Sequence, residues 1–258
     1  MAAFGVIAKK IIPNRLFHSL RMLTKPDTYA HLDSITYNQD GLITQHNCDF
    51  IEETDFKYAY QTGESLNSWW NSKIHWRIHT MFWAAQRAVN LEGDFVECGV
   101  HRGGFSRAII EYIKFEKLTN KKFYLLDTFE GLSEKHVSED EKKLGVLDYI
   151  YEGSYEEVKG NFKQFENVVV IKGIVPDTLA QVKSEKVCYL SIDMNCAAPE
   201  IAAAEFFWGK LTSGATMVLD DYGWAKHIAQ KHAFDEFAKQ KGVPILSLPT
   251  GQGLILKP

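Results

Sequence analysis

The sequence predicts an α/β protein: a doubly wound, mostly parallel sheet of seven strands, preceded by a helical N-terminal extension. Three observations predict it. From Gly93 onward, short apolar runs alternate with helix-compatible stretches, the succession that builds a parallel sheet through crossover helices. Runs such as FYLLD, VVVIK and TMVLD are apolar nearly throughout, as strands buried on both faces are. The last two apolar runs are joined by the turn Pro249-Thr250-Gly251-Gln252-Gly253, too short for a crossover helix, so the sheet should end in an antiparallel hairpin.

The elements follow in order. Residues 1–92 read as a helical extension or lid and residues 93–258 as the sheet domain. Within the extension, residues 73–90 place Ile74, Ile78, Met81, Phe82 and Ala85 on one helical stripe. His75 and His79 share that helix at i, i+4. The glutamate of a zinc-protease motif is missing, with Trp76 and Arg77 in the intervening places, so the pair reads as structural. Strands are expected at Phe95–Val100, Phe123–Asp127, Val168–Lys172, Cys188–Asp193, Thr216–Asp220, Pro244–Leu248 and Gly253–Leu256. Helices are expected at Gly104–Lys117, Ser154–Phe165, Pro199–Leu211 and Ala225–Lys241. Residues 130–157 form an acidic irregular insertion over the binding face, read as a lid or a solvated loop.

Composition narrows the class. The chain has 258 residues, 45% of them hydrophobic, enough for a conventional core without disulfide or metal staples. Its net charge of −4 argues against a surface built to hold nucleic acid. Cys48, Cys98, Cys188 and Cys196 are scattered without a C-x-x-C pair, and no glycosylation sequon is present, which fits a cytoplasmic protein. No apolar run reaches the roughly 18–20 residues of a membrane span. The first 26 residues carry Lys9, Lys10, Arg15, Arg21 and Lys25 and no acid, and read as a basic surface helix or arm rather than a targeting peptide.

The chemistry gathers at the ends of the predicted strands, where open α/β sheets bind ligands. Glu97-Cys98-Gly99-Val100-His101-Arg102-Gly103-Gly104 follows one strand and opens a helix. Its glycines admit a ligand to the backbone, and the acid before them suits an ammonium group. Asp127 ends the next strand, where a carboxylate can take both hydrogen bonds of a ribose diol. Ribose at one tip and an amino-acid tail at its neighbour describe S-adenosylmethionine better than a dinucleotide. A nicotinamide cofactor would need G-x-G-x-x-G, whereas here Gly99 and Gly103 are separated by three residues and Asp127 lies 28 after Gly99. Asp193 and the pair Asp220-Asp221 end two further strands. Three clustered carboxylates repel unless a cation or protons intervene, and oxygen-only ligation suits Mg²⁺.

These stretches, FVECGVHRGG, LLDTFEGL, KGIVPDTL, LSIDMN and MVLDDYG, run in order over residues 93–223, and their combination resembles the macrocin O-methyltransferase family. The resemblance implies a Rossmann-like class I fold, S-adenosylmethionine, Mg²⁺ and methylation of a sugar or glycoside hydroxyl. It implies that Glu97, Gly99, Gly103, Ser106, Asp127, Thr128, Gly173 and Ile174 hold the cofactor. By the same resemblance Asp193, Asp220 and Asp221 hold the metal, with Asp193 also among the catalytic groups. Three features depart from the family pattern: His101 replaces an aromatic, Asn195 an acid, and Gly145 the histidine before the S-x-E-E-V-like segment. The general base then falls to His227, His101 or His136, with His227 first because it is tied to the Asp220-Asp221 loop. A metal-dependent catechol-type enzyme and a non-catalytic S-adenosylmethionine-binding protein are the rival readings. The resemblance suggests a homo-oligomer, and the lack of a long apolar run argues against stable membrane insertion.

Overall fold

The computed structural model describes residues 34–70, 72–148 and 155–258, so the basic N-terminal segment lies outside the described residues. The chain divides into two compact units. The first comprises residues 1–38 and 42–48; the second comprises residues 39–41 and 49–258. The described part of the first unit contributes most of a two-stranded sheet, β1 (Tyr37–Gln39) and β2 (Leu42–Thr44), in a region expected to be helical.

The second unit holds α1 (Thr54–Glu64), α2 (His75–Val89) and the seven-stranded sheet. The units therefore do not divide at residue 92. Gly63 explains why α1 belongs with the sheet: a Cβ there would lie 2.5 Å from the Gly104 carbonyl, so only glycine lets α1 approach α3 (Gly104–Ile113) this closely. Trp69 and Tyr60 are buried in the same layer, and the rings of His75 and Tyr60 stack at 4.2 Å.

The sheet runs β5-β4-β3-β6-β7-β9-β8. Its strands are β3 (Asp94–Cys98), β4 (Phe123–Asp127), β5 (Val168–Lys172), β6 (Val187–Ile192), β7 (Leu211–Leu219), β8 (Leu246–Ser247) and β9 (Gly253–Leu256). Neighbours from β5 to β7 pair in parallel, and β9 returns antiparallel to both β7 and β8, as the short final turn requires. Strand order reverses between β3 and β6, which opens a crevice at their carboxyl ends.

Alternation sorts the two faces. Val96, Cys98, Leu190, Ile192, Met217 and Leu219 form one core with Ala203, Phe207 and Phe234 of α6 (Ala197–Trp208) and α7 (Ile228–Lys241). On the other face, α2 packs over β6 and β7. Several boundaries differ from expectation, two of them for a clear local reason. β7 begins at Leu211, not Thr216, because α6 stops at Gly209 and Val187 already pairs with Leu211. The helix expected from Ala225 starts with a short 3-10 turn, Ala225–His227, before α7.

The acidic insertion is anchored. Ser138 caps the short helix α4 (Glu139–Lys143), and the buried Glu141 returns two bonds to Ser138 while its Oε1 accepts the Ala197 N–H at 2.7 Å. The remaining helix, α5 (Tyr155–Phe162), leads into β5.

Candidate active site

Register brings the chemistry to one level. Cys98 pairs with both Leu126 and Ile192, and Ile192 with Leu219, so the next residue on each strand, Gly99, Asp127, Asp193 and Asp220, stands in one row. Backbone bonds continue the ladder across that row: Gly99 N–H to Leu126, Asp193 N–H to Cys98 and Asp220 N–H to Ile192, at 2.9, 2.8 and 3.1 Å. Gly99 has φ +89°, and a Cβ there would lie 1.8 Å from the Asp193 carbonyl oxygen. A side chain would force the two central strand tips apart.

A cavity of about 510 Å³ opens on this row. Gly99, Asp127, Thr128, Gly173, Ile174, Asp193, Asp220, Asp221 and His227 line it, so nine of the residues singled out in the sequence meet there. Glu97, Gly103 and Ser106 do not. Glu97 is fully buried beneath the loop, takes a hydrogen bond from the Ser106 hydroxyl, and is pushed well above the usual carboxylate range by burial. Gly103 caps α3 against the Phe162 ring. Asp127 turns towards its own loops: Oδ2 accepts the N–H groups of Val100 and His101 at 2.6 and 2.8 Å, and Oδ1 accepts that of Phe129 at 2.6 Å. These charge-assisted bonds shape the β3–α3 loop. His101, Phe129 and Asn195, all on the cavity wall, have φ of 51°, 53° and 57°. Such strain collects where structure over-determines a site.

Asp193, Asp220 and Asp221 each offer an oxygen within 4.8 Å of the others. Asp220 Oδ2 accepts from Arg77 Nη1 at 2.7 Å and its Oδ1 from Gln252 Nε2 at 2.9 Å. Asp193 accepts from the Asn195 amide at 3.2 Å. Asp221 Oδ2 is buried with no hydrogen-bond partner, 4.0 Å from His227 Nδ1. Burial pushes Asp221 up to about 6, and burial followed by Asp220 and Asp221 pushes Asp193 well up. The donors are all oxygens, and one buried carboxylate oxygen is orphaned, so the residues present fit a divalent cation such as Mg²⁺.

Arg77 escapes the sequence reasoning. It forks onto Asp40 through Nε and Nη2 at 2.8 and 2.9 Å, and the neighbouring Asp220 and Asp40 hold it protonated against burial. A signal is nevertheless present. Arg77 precedes Met81, Ala84 and Ala88 by four, seven and eleven positions, which sets it on the buried side of α2, where an unpaired cation would be costly. Gln252 has no such signal, since it reaches Asp220 only through the β8–β9 return.

The three candidate bases differ. His227 is buried, with Nδ1 2.5 Å from Gln230 Oε1. His101 Nδ1 donates to the Ser68 carbonyl at 3.0 Å, and its ring lies against Trp70. His136 lines the cavity, and its buried Nε2 has no partner. Trp69 and Trp70 also line the cavity; Trp76 and Trp83 do not.

The sheet order, its antiparallel last strands and the crevice at the β3–β6 reversal define the class I methyltransferase fold. The profile of the macrocin-O-methyltransferase (TylF) family matches residues 77–246, about two-thirds of the chain, and the protein belongs to that family. Among curated proteins it is similar to an 8-demethyl-8-(2,3-dimethoxy-alpha-L-rhamnosyl)-tetracenomycin-C 4'-O-methyltransferase of Streptomyces olivaceus, 26% identical over 143 residues, covering 52% of this chain and 55% of that one. It is similar also to a demethyldecarbamoylnovobiocin O-methyltransferase of Streptomyces niveus, 25% identical over 143 residues, 52% of this chain and 54% of that one. The chain thus spans about half the length of these relatives in the match. Among solved structures, the O-methyltransferase NovP superposes with a TM-score of 0.63 at 19% identity, over 70% of this chain and 79% of that one. A Bacillus cereus O-methyltransferase in complex with SAH superposes at 0.53 and 13% identity, over 81% and 95%. No helix among the described residues is long and apolar enough to cross a membrane.

Proposed function

We propose that the protein is an S-adenosylmethionine-dependent, Mg²⁺-dependent O-methyltransferase acting on a hydroxyl of a sugar or glycoside. The observation that carries this is the orphaned Asp221 Oδ2 within the Asp193–Asp220–Asp221 cluster, on the same cavity wall as the Gly99 and Asp127 loops. Family membership and the glycoside names of its curated relatives support the acceptor class.

In this reading the β3–α3 loop, held by Asp127, receives the amino-acid end of the cofactor, and Thr128, Gly173 and Ile174 line its nucleoside side. Asp193, Asp220 and Asp221 hold the metal, which when bound would draw adjacent acceptor oxygens together and stabilise developing alkoxide charge. The reaction forms one O–C bond and breaks one C–S bond in line, so the hydroxyl proton must go elsewhere. His227, beside the acid cluster, accepts it. Trp69 and Trp70 offer aromatic faces to a sugar ring. Three of the four thiols are buried and all are free, which supports the cytoplasmic placement.

Calorimetric titration with S-adenosylmethionine and its demethylated product, with and without Mg²⁺, tests the class. Labelled-methyl transfer to methyl α-L-rhamnopyranoside or to catechol then tests the acceptor. Binding of the nucleosides, with methyl transfer to the glycoside abolished by chelator and by Asp220→Asn, is expected. Transfer that survives chelator sinks the metal assignment, and transfer to catechol alone replaces the acceptor class.

A further inference from the structure

The turn that returns β8 to β9, Pro249-Thr250-Gly251-Gln252-Gly253, lies along the loop that carries two of the three clustered acids. Antiparallel register sets Gly253 opposite Leu219, so the next pair outward is Gln252 opposite Asp220. Beyond it, Gly223 donates its N–H to the Gly251 carbonyl at 2.7 Å. The two glycines of the turn make room for the rings of that loop. A Cβ on Gly251 would lie 2.3 Å from Trp224 Nε1, and one on Gly253 would lie 2.8 Å from Tyr222 Cγ. The side chain standing between those glycines is Gln252.

Gln252 is fully buried and Thr250 is buried beside it. Gln252 Nε2 donates to Asp220 Oδ1 at 2.9 Å, and its Oε1 accepts from the Thr250 hydroxyl at 3.0 Å. The backbone N–H of Gln252 points at Thr250 Oγ1 over a long 3.4 Å, which leaves the hydroxyl hydrogen for the amide oxygen. A flipped amide would set its oxygen against a carboxylate oxygen, two acceptors face to face. From the opposite side, Arg77 Nη1 donates to Asp220 Oδ2 at 2.7 Å. Asp220 is therefore gripped through both oxygens, by the β8–β9 return and by α2. Its neighbours are held differently: Asp221 Oδ2 has no hydrogen-bond partner, and Asp193 takes its bond from Asn195, two residues along the same strand tip.

We propose that Gln252 is a positioning residue for the metal, acting through Asp220. With Arg77 it fixes the plane of the carboxylate, so a divalent cation finds Asp220 already oriented and need not freeze its rotation. Thr250 acts one step further back, by turning the amide. The inference rests on the Asp193–Asp220–Asp221 cluster being the Mg²⁺ site. It adds a residue that touches neither metal nor substrate, since Gln252 does not line the cavity. Outer groups that orient a metal ligand typically matter about 10- to 100-fold in metal affinity.

The test is titration of the full chain with Mn²⁺, read by electron paramagnetic resonance, with Mg²⁺ as competitor and no acceptor present. Gln252→Leu keeps the burial and donates nothing. It should bind Mn²⁺ about 10- to 100-fold more weakly than wild type, with its affinity for S-adenosylmethionine unchanged. Thr250→Val is nearly isosteric, releases the amide to flip, and should lose a smaller part of the Mn²⁺ affinity. The double variant should bind no more weakly than Gln252→Leu alone, because the hydroxyl acts through the amide. Thr250→Val carries the test where Gln252→Leu fails to fold. Wild-type Mn²⁺ affinity in either folded variant, multiplied losses in the double variant, or an equal loss of S-adenosylmethionine affinity overturns the proposal. Wild-type protein that binds no Mn²⁺ sinks the metal assignment itself, a result distinct from wild-type binding with indifferent variants.

Discussion

Arg77 Nη1 donates to Asp220 Oδ2 at 2.7 Å across 143 residues of sequence, while the rest of the guanidinium forks onto both oxygens of Asp40. One largely buried cation therefore serves the buried Asp220 and the partly buried Asp40, and it ties helix α2 and the turn at residue 40 to the acid cluster.

Removing that cation leaves both acids without charge compensation. Arg77→Met should cost about 3–5 kcal/mol of stability, the usual penalty for breaking a buried pair from one side. Arg77→Lys keeps the charge but loses the fork, and should fall between. Urea denaturation reads both. Equal midpoints for wild type and Arg77→Met would show that the pair holds nothing.

Gly99→Ala should separate the strand tips, since its Cβ would meet the Asp193 carbonyl at 1.8 Å in a backbone conformation that alanine also resists. Strain of about 1–3 kcal/mol at this point corresponds to roughly a fivefold to 150-fold loss of affinity for S-adenosylmethionine. Calorimetry checks the affinity and thermal unfolding the stability. Undiminished affinity would mean that the row of tips does not shape the cofactor loop.

Asp127→Asn keeps one acceptor oxygen but presents an amide NH₂ to backbone N–H groups that the carboxylate now satisfies. Leaving such donors unpaired costs about 1–3 kcal/mol. The loss should appear as weaker nucleoside binding by about one to two orders of magnitude, with Mg²⁺-induced thermal stabilisation retained. Loss of the metal response as well would show that the two subsites are not separable.

The buried acids set a pH dependence. Burial raises Glu97 well above its usual value of 4.5 and raises Glu200 to about 8. Between the unfolded and folded values the native state binds more protons. The stability that these groups contribute is therefore full below about pH 4.5 and declines as pH rises towards 8. Each group steepens the decline by at most about 1.4 kcal/mol per pH unit. Urea midpoints at about pH 5 and about pH 8 should converge in Glu97→Gln relative to wild type. A parallel shift at both values would show that Glu97 is ionised in the native state.

Much of this site is legible in the order of residues alone. FYLLD is apolar at every interior position and is a buried strand, whereas the equally apolar VVVIK forms the sheet edge β5 with only Ile171 buried; acids that end strands of a parallel sheet must share its carboxyl edge. Asp193, Asp220 and Asp221 can thus be grouped from sequence position. Glu97 and Ser106 belong to the same local motif, yet their side chains turn beneath the loop, because strand alternation and helix phase decide which face a residue presents.

A period of 2 or 3.6 residues and the length of a turn are local properties, so the sheet, its terminal hairpin and the row of acids were already written in the chain. Which groups answer the acids was settled by packing. Arg77 and Gln252 reach the site from α2 and the β8–β9 return, over separations in sequence that carry no period. Buried charge must find its partner wherever packing brings one within about 3 Å, and only the folded chain specifies that distance.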